Sequence, residues 1–251
     1  MTGTRLRDKV AFISGSTRGI GRTMAEMFAA EGAQVVVTGR TVDRGEKVAR
    51  RIRDAGGDAT FIPLDVSDEN SVRDALDATV ARYGRLTTLV NNAAPTDLVA
   101  DGMKQMHELS TDEWEAILRT ALTGNVFWAT KYAISHLTAA GGGSVVNISS
   151  GGSIVGVPGI SAYSASKGGM NALTRTIAVE YAPVGIRCNT IVVGRVVSYA
   201  QDRGPAPTRE LSRVGNPADV ANAAIWLCAD ESEWITGSTV TADGGVSING
   251  A

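Results

Sequence analysis

The stretch that decides the fold of this chain is Val10-Ala11-Phe12-Ile13-Ser14, followed directly by Gly15-Ser16-Thr17-Arg18-Gly19-Ile20-Gly21. The first five residues are an apolar run of strand length, and a helical apolar pattern follows the glycines through Met24 and Phe28. A strand, a glycine turn and a helix in this order predict the first unit of a dinucleotide-binding fold, in which a pyrophosphate lies at the helix N-terminus. The spacing is G-x-x-x-G-x-G rather than the more familiar G-x-G-x-x-G. A purely structural glycine turn is the alternative, but the flanking strand and helix favour phosphate binding.

The alternation of strand and helix continues along the chain. Short apolar runs between turn residues predict strands, and longer periodic segments predict helices. The predicted strands are Val10–Ser14, Gln34–Thr38, Ala59–Leu64, Leu86–Val90, Ser144–Ile148, Arg187–Val193 and Ser238–Ala242. The predicted helices after the first are Asp43–Ala55, Asn70–Tyr83, Thr111–Thr138, Tyr163–Tyr181 and Pro217–Asp230. This order predicts an α/β fold with a doubly wound, parallel seven-stranded sheet and helices on both faces. No linker or repeat interrupts it, so we expect a single domain over residues 1–251.

Composition narrows the classes of function. Of the 251 residues, 43% are hydrophobic and 20% are charged, and the formal net charge is −2. This balance does not suggest a nucleic-acid partner or an anionic membrane surface. Cys188 and Cys228 both lie in apolar stretches, which predicts two buried thiols in a reducing compartment. Neither a leader segment nor an apolar run of membrane-spanning length is evident, so we expect a cytoplasmic protein with no metal site.

The second predicted strand is followed by Gly39 and Arg40, at the position where an adenosine ribose is expected. An acidic residue there would accept hydrogen bonds from a ribose 2′-hydroxyl, and none is present. Arg40 and Arg18 would instead suit a 2′-phosphate dianion, which favours NADP(H) over NAD(H). The alternative is that Arg40 only begins the solvated face of the next helix.

Polar residues also follow the third and fourth predicted strands. Asp65 precedes Val66 and is suited to accept a hydrogen bond from an adenine amino group, although it could instead cap the helix that follows. The fourth strand ends in Asn91-Asn92-Ala93-Ala94. Carboxyl ends of parallel strands lie at one edge of the sheet, so these residues are expected to border the same site.

The candidate catalytic stretch is Tyr163-Ser164-Ala165-Ser166-Lys167, with Ser150 at the end of the fifth predicted strand. Tyr163 and Lys167 are four residues apart, so on a helix they share one face. An ammonium beside the phenol would lower the phenol pKa from its ordinary value of about 10. Ser150 would hold a substrate oxygen beside that phenol. The pattern therefore predicts a general acid/base for a carbonyl and alcohol pair.

Taken together, these motifs resemble the short-chain dehydrogenase/reductase family over nearly the whole chain. The matching pieces are Gly15-Ser16-Thr17-Arg18-Gly19-Ile20-Gly21, Asp65-Val66, Asn91-Asn92-Ala93, Ser150, Tyr163-Ser164-Ala165-Ser166-Lys167, Ile186-Arg187-Cys188-Asn189 and Asp243-Gly244-Gly245. The resemblance implies a Rossmann-type fold that binds a nicotinamide cofactor and usually assembles as a homotetramer. It places the Thr111 and Tyr163 helices at one subunit interface and the C-terminal strand at another.

The resemblance also implies a role for each site residue. Tyr163 would donate or accept the proton, Lys167 would lower the tyrosine pKa and hold the nicotinamide ribose, and Ser150 would orient the substrate oxygen. The implied cofactor-binding residues are Gly15, Ser16, Thr17, Arg18, Gly19, Ile20, Gly21, Arg40, Asp65, Val66, Asn92, Ala93, Tyr163, Lys167 and Val196.

The chain departs from the family pattern on the helix after Thr111. Members usually carry an asparagine seven residues after the tryptophan, where it helps to hold a water of the proton relay. Counting from Trp114 gives Ala121, and counting back from Phe127 gives Leu122, because the helix holds one extra residue. Thr123 and Asn125 are the polar residues nearby, and neither is assigned to this role.

Three smaller departures concern the loops. Val193-Gly194 stands where the family usually has Pro-Gly, and Ala94 stands where it usually has glycine. The loop Gly194–Arg213, which normally covers the substrate, is shorter than is common in the family.

These features predict an NADP(H)-dependent oxidoreductase that acts on a ketone or secondary alcohol. A 3-oxoacyl thioester is the first substrate class expected, and a secondary-alcohol or steroid-like substrate is comparable. The alternative is a catalytically weak cofactor-binding sensor or scaffold protein, which the missing asparagine favours and the intact Ser150, Tyr163 and Lys167 oppose.

Overall fold

The computed structural model describes residues 3–96, 103–197 and 213–248. Its centre is a seven-stranded sheet with the order β3-β2-β1-β4-β5-β6-β7, and each neighbouring pair is parallel. The strands are β1 Val10–Ile13, β2 Gln34–Gly39, β3 Asp58–Pro63, β4 Thr88–Asn91, β5 Gly143–Ile148, β6 Ile186–Val193 and β7 Thr239–Ala242. The strand order reverses between β1 and β4, so the predicted doubly wound sheet is confirmed.

The helices alternate with these strands. They are α1 Gly19–Ala30, α2 Val42–Asp54, α3 Glu69–Tyr83, α4 Thr111–Leu118, α5 Ala129–Ala139, α6 Ser161–Tyr181 and α7 Pro217–Cys228. A π-helix, Arg119–Trp128, joins α4 to α5, and a 3₁₀ turn, Gly151–Ser153, follows β5. None of the helices in the described ranges is long and apolar enough to cross a membrane.

Alternate residues of the central strands point to opposite faces of the sheet, as the pleat requires. Ala11 and Ile13 pack with α1, α2 and α7 in one hydrophobic cluster. Phe12, between them, packs with α3, α5 and α6 in a second cluster. Helices therefore cover both faces, which explains why the strands are nearly continuous apolar runs.

Helix caps account for two of the boundaries. Asp68 caps α3, and its carboxylate accepts the backbone N–H groups of Asn70 and Ser71 at 2.9 and 3.3 Å. Asn216 caps α7, and Pro217 occupies the first helical position, where its missing N–H costs no hydrogen bond.

The segment predicted as one long helix over Thr111–Thr138 is helical throughout, but its middle is a π-helix. A π-helix closes hydrogen bonds between residues five apart and so takes up an additional residue within the same helix. The N–H of Ala129 donates to the carbonyl of Gly124 in this way. The extra residue between Trp114 and Phe127 is therefore absorbed inside the helix.

The two cysteines are buried free thiols, as predicted. Burial raises the pKa of each to about 12, so both remain protonated at neutral pH.

Candidate active site

A cavity of about 1040 Å³ lies at the carboxyl ends of the parallel strands. This cavity is lined by most of the residues that were predicted to form the site. They are Gly15, Thr17, Arg18, Gly19, Ile20, Gly21, Arg40, Asp65, Val66, Asn92, Ala93, Ser150, Tyr163, Lys167 and Val196. This is the position expected of a ligand site in an open parallel sheet, beside the point where strand order reverses.

Ser16 is the predicted cofactor-binding residue that does not line the cavity. Its side chain is fully buried, and its hydroxyl donates to the carbonyl of Ile13 and accepts the N–H of Thr38, both at 2.8 Å. Its own N–H donates to the carbonyl of Thr38 at 2.9 Å. These bonds attach the glycine turn to β2, so Ser16 stabilises the turn without facing the cavity.

The glycine turn has no room for side chains at two of its positions. Gly15 has a φ of +64°, which favours glycine, and a Cβ there would lie 3.0 Å from the Cα of Ala93. A Cβ at Gly21 would collide with the carbonyl oxygen of Gly15 and the side chain of Asn92. The N-terminus of α1 therefore opens onto the cavity through bare backbone, with no acidic residue in its first turn. This arrangement suits an anionic ligand.

Ser14 joins this turn to the end of β4. Its hydroxyl accepts the N–H groups of Asn92 and Ala93 at 2.9 and 3.0 Å. In return, the Asn92 side chain donates to the carbonyls of Ser14 and Gly15 at 2.9 and 3.1 Å. The predicted juxtaposition of the glycine turn with Asn92-Ala93 is thus made by direct hydrogen bonds.

At the far end of the cavity, Gly39, Arg40, Thr41 and Arg44 form the wall. A Cβ at Gly39 would lie 2.7 Å from a methyl carbon of Thr17, so a larger residue would displace the glycine turn. Arg44 was not predicted, because its place in the first turn of the charged helix α2 resembles an ordinary solvated position. Its spacing of four residues from Arg40 carried no signal, because Arg40 precedes the helix and the two do not share a helical face.

Asp65 lies across this end of the cavity from those arginines. Burial opposes its ionised form, but hydrogen bonds from the Ser67 hydroxyl and N–H, at 2.7 and 2.9 Å, together with the charge of Arg40, lower its pKa. Asp65 therefore closes the turn before α3, whereas Asp68 caps the helix itself. Its position in the wall leaves the predicted adenine contact open to it.

Tyr163 and Lys167 lie on α6, one turn apart, and face the end of β5. The Lys167 side chain is 1% exposed, and its Nζ donates to the carbonyl of Ile148 at 2.7 Å. The same Nζ lies 5.6 Å from the centroid of the Tyr163 ring. The Ser150 hydroxyl lies on the same wall beside the Tyr163 phenol, and its presence favours the ionised form of that phenol. The three predicted catalytic residues thus form one group on the cavity wall.

The electrostatics of this group differ from the expectation. Burial raises the pKa of Tyr163, and the hydrogen bond from Ser150 offsets this only in part. Burial also lowers the pKa of Lys167 from 10.5 to about 7. The prediction that Lys167 lowers the tyrosine pKa is wrong for the protein alone, because burial disfavours the charged form of both groups.

The π-helix places its polar residues away from the family pattern. Thr120 lines the cavity, whereas Ala121 is buried and neither Thr123 nor Asn125 is among the lining residues. Asn125 is fully buried and its Oδ1 accepts the Ser14 hydroxyl at 2.6 Å. Asn125 therefore stabilises the glycine turn through Ser14, the residue directly before it.

The loop after β6 contributes Val193, Gly194 and Val196 to the cavity wall. Val196 forms a parallel bridge with Gly215, and the N–H of Val197 donates to the Gly215 carbonyl at 3.0 Å. Most of the predicted short loop Gly194–Arg213 lies outside the described residues.

Comparisons with known proteins agree with this geometry. The family model described as enoyl-(acyl carrier protein) reductase matches residues 15–247. A cis-4-hydroxycyclohexanecarboxylate dehydrogenase of Sinomonas cyclohexanicum is 36% identical, over 97% of this chain and 98% of its own. A 7alpha-hydroxysteroid dehydrogenase of Clostridium sardiniense is 37% identical, over 97% of this chain and 95% of its own. This chain belongs to the short-chain dehydrogenase/reductase family.

A solved structure extends the likeness to the cofactor. Carveol dehydrogenase from Mycobacterium avium, determined in complex with NAD, matches with a TM-score of 0.89 and 28% identity, over 98% of this chain and 100% of that one. The family membership makes this protein a nicotinamide-dependent oxidoreductase that acts on alcohols and ketones. The close-packed glycines of the turn, the uncapped N-terminus of α1 and the arginines beyond Gly39 fit such a dinucleotide.

Proposed function

We propose that this short-chain dehydrogenase/reductase is NADP(H)-dependent and interconverts a ketone and a secondary alcohol, with Tyr163 as the general acid/base. The observation that carries the proposal is the group of Ser150, Tyr163 and Lys167 on the wall of the same cavity as the glycine turn. A bound nicotinamide supplies or accepts the hydride. The residues of the chain then need only orient the substrate and move one proton.

In the reductive direction, Tyr163 gives its phenolic proton to the substrate oxygen. Burial raises its pKa, so the phenol is protonated at neutral pH and is ready to act as the donor. Ser150 lies beside that phenol and would hold the substrate oxygen next to it. Lys167, with a pKa of about 7, exchanges a proton readily near neutral pH and would help to reprotonate the site.

The preference for NADP(H) is supported by charge at the expected ribose position. Arg40 and Arg44 line the cavity there, and Gly39 occupies the place where an acidic residue would bind a ribose hydroxyl. Arg18 lines the same cavity, but its guanidinium donates to the Thr96 hydroxyl at 2.8 Å. Guanidinium groups match the geometry of a phosphate dianion. NAD(H) is the alternative, and the relative solved with NAD supports a nicotinamide cofactor without deciding between the two.

For the substrate, the names of the relatives favour a cyclic secondary alcohol. They include the hydroxycyclohexanecarboxylate and hydroxysteroid dehydrogenases and a cyclopentanol dehydrogenase of Comamonas testosteroni that is 34% identical. A 3-oxoacyl thioester, the first class expected from the sequence, is the second candidate, supported by the acyl-carrier description of the family model.

Assembly as a homotetramer belongs to the same proposal. Phe127 on the π-helix is 52% exposed and Val179 on α6 is 76% exposed, so apolar surface lies along the helices expected at one interface. Trp234, shortly before β7, is 94% exposed near the other. Where such side chains form one contiguous patch, the surface is typical of one that binds another subunit.

The test is oxidation of NADPH and of NADH by the purified protein with cyclopentanone, a steroid ketone, a diketone and a short 3-oxoacyl thioester. We expect turnover with a cyclic ketone and a higher kcat/KM for NADPH than for NADH.

Tyr163→Phe should abolish turnover while NADPH binding stays nearly intact, because the phenol hydroxyl acts on the substrate. The matched control, Tyr181→Phe at the end of the same helix, should retain turnover. Equal turnover in Tyr163→Phe would contradict the mechanism, and tight NADPH binding with no turnover on any substrate would favour a sensor or scaffold.

A further inference from the structure

We propose that Asn171 and Ser153 are positioning residues for catalysis, which hold Ser150 in place against Tyr163. The inference rests on the proposed roles of Ser150 and Tyr163 and extends them to two residues outside the cavity wall.

A chain of hydrogen bonds links helix α6 to the backbone of Ser150. The side-chain N–H of Asn171 donates to the Ser153 hydroxyl at 2.9 Å. That hydroxyl in turn donates to the carbonyl of Ser150 at 2.6 Å. The N–H of Ser153 donates to the same carbonyl at 2.9 Å. Ser153 thus uses both the donor and the acceptor of its hydroxyl, and the Ser150 carbonyl receives two hydrogen bonds.

The position of Asn171 on α6 explains why this link matters. Tyr163, Lys167 and Asn171 follow each other at intervals of four residues, so they project from neighbouring positions on one side of the helix. The helix that carries the acid/base therefore also holds the loop that carries Ser150. One rigid element determines the distance between the phenol and the serine hydroxyl.

The 3₁₀ turn itself reaches the Ser150 hydroxyl through the Gly152 N–H at 3.4 Å, but the segment beyond the turn adds little support. Ile154, Val155 and Val157 are 48%, 38% and 40% exposed, so the loop that leaves the 3₁₀ turn runs along the surface. Exposed loops with few buried contacts open locally at low free-energy cost. The bonds from Ser153 and Asn171 lie between this loop and the catalytic serine, where they would keep loop motion from reaching the site.

The energetics of Asn171 also indicate a positioning role. Its side chain is 8% exposed, and its Oδ1 is buried without a hydrogen-bond partner among the described residues. A buried polar atom left unpaired lowers the free energy of unfolding. An apolar side chain would avoid this cost, so stability alone does not explain an amide here. Reversing the amide would present Oδ1 to Ser153 and draw its proton away from Ser150.

The test combines kinetics with a double-mutant cycle, using cyclopentanone and NADPH. Asn171→Ala and Ser153→Ala should each lower kcat about tenfold and leave KM for NADPH within about twofold, because small displacements of a catalytic group are costly and the cofactor site is untouched. In a Ser150→Ala background, the same changes should lower kcat by less than about twofold, since they act only through Ser150. Ser153→Thr keeps the hydroxyl and should restore most of kcat. Asn222→Ala, an exposed asparagine on α7, is the matched control and should leave kcat unchanged.

A second readout does not depend on turnover. Hydrogen exchange at the amides of residues 151–155 should be faster in Asn171→Ala than in the wild type, with other segments unaltered. Unchanged exchange there would overturn the proposal, as would equal losses of kcat in the presence and absence of Ser150. Failure of the proposed function is distinct, because it would appear as no turnover by the wild type or full turnover by Tyr163→Phe.

Discussion

Replacing Lys167 by Met should change how the stability of the protein depends on pH. Lys167 is 1% exposed, and burial lowers its pKa from 10.5 to about 7. Between these two values the folded protein holds a neutral amine, whereas the unfolded chain holds an ammonium. The unfolded state therefore binds more protons, and this lysine makes the free energy of unfolding rise with pH. Below pH 7 both states are protonated and the cost of burying the charge is present in full.

The size of the effect follows from the shift. Each pH unit within this window contributes at most about 1.4 kcal/mol, and the slope is about half of that at pH 7, so raising the pH from 7 to 9 should add about 2 kcal/mol to the free energy of unfolding of the wild type. Methionine fills a similar volume and binds no proton, so the variant lacks this contribution. For a chain of this size the difference corresponds to roughly 4–8 °C in Tm.

The assay is urea unfolding of the wild type and Lys167→Met at pH 7, 8 and 9, without cofactor and at one protein concentration. The free energy of unfolding of the wild type should increase relative to that of the variant at each higher pH. Lys47→Met makes the same chemical change at an exposed position of α2 and should give a curve parallel to that of the wild type. Parallel curves for Lys167→Met would refute the reasoning, because they would mean that the buried lysine keeps an ordinary pKa.

Two further substitutions test other parts of the site. Arg40→Asp should lower the ratio of kcat/KM for NADPH to that for NADH by at least about tenfold, because a carboxylate repels a 2′-phosphate and accepts a ribose hydroxyl; an unchanged ratio would remove Arg40 from the phosphate site. Gly124→Ala should destabilise the protein by roughly 1–3 kcal/mol or more in urea unfolding, because its Cβ would collide with the carbonyl oxygen of Val66. Gly168→Ala is the control, because a Cβ there would meet nothing within 4 Å. It should leave the free energy of unfolding unchanged or raise it by about 0.5–1 kcal/mol. Equal effects of the two substitutions would show that the Val66 contact is not as described.

The sheet was predictable because its signals are local. Each strand is a short apolar run between turn residues, and the predicted strands differ from the observed ones by only a few residues at their ends, as for Leu86–Val90 against Thr88–Asn91. Parallel order followed from strict alternation with helices. The pairing of Tyr163 with Lys167 was equally local, since four residues always span one turn of helix.

Contacts between distant segments were not predictable in this way. Arg44 resembles any solvated arginine until the fold turns the start of α2 toward the cavity. Asn171 and Ser153 are 18 positions apart, and nothing in their spacing indicates a hydrogen bond. The pKa of Tyr163 was predicted in the wrong direction for the same reason, because the spacing shows the neighbouring lysine but not the burial that dominates.

The π-helix shows where reasoning from spacing reaches its end. The sequence contains one residue too many between Trp114 and Phe127, and a count at ordinary helical period places either Ala121 or Leu122 at the site of the relay asparagine. An additional residue can be absorbed by a loop, by a shift of register or by a wider helical turn. The same sequence is compatible with all three, so counting residues does not distinguish them. The structure has the wider turn, and it packs the backbone of Gly124 against the Val66 carbonyl so closely that only a residue without Cβ fits there. The helix thereby presents Thr120 to the cavity and Asn125 to Ser14. The asparagine of this helix thus supports the glycine turn, so any water that serves Lys167 must be held by other groups. Among those groups, Thr120 is the hydroxyl that the π-helix itself places on the cavity wall.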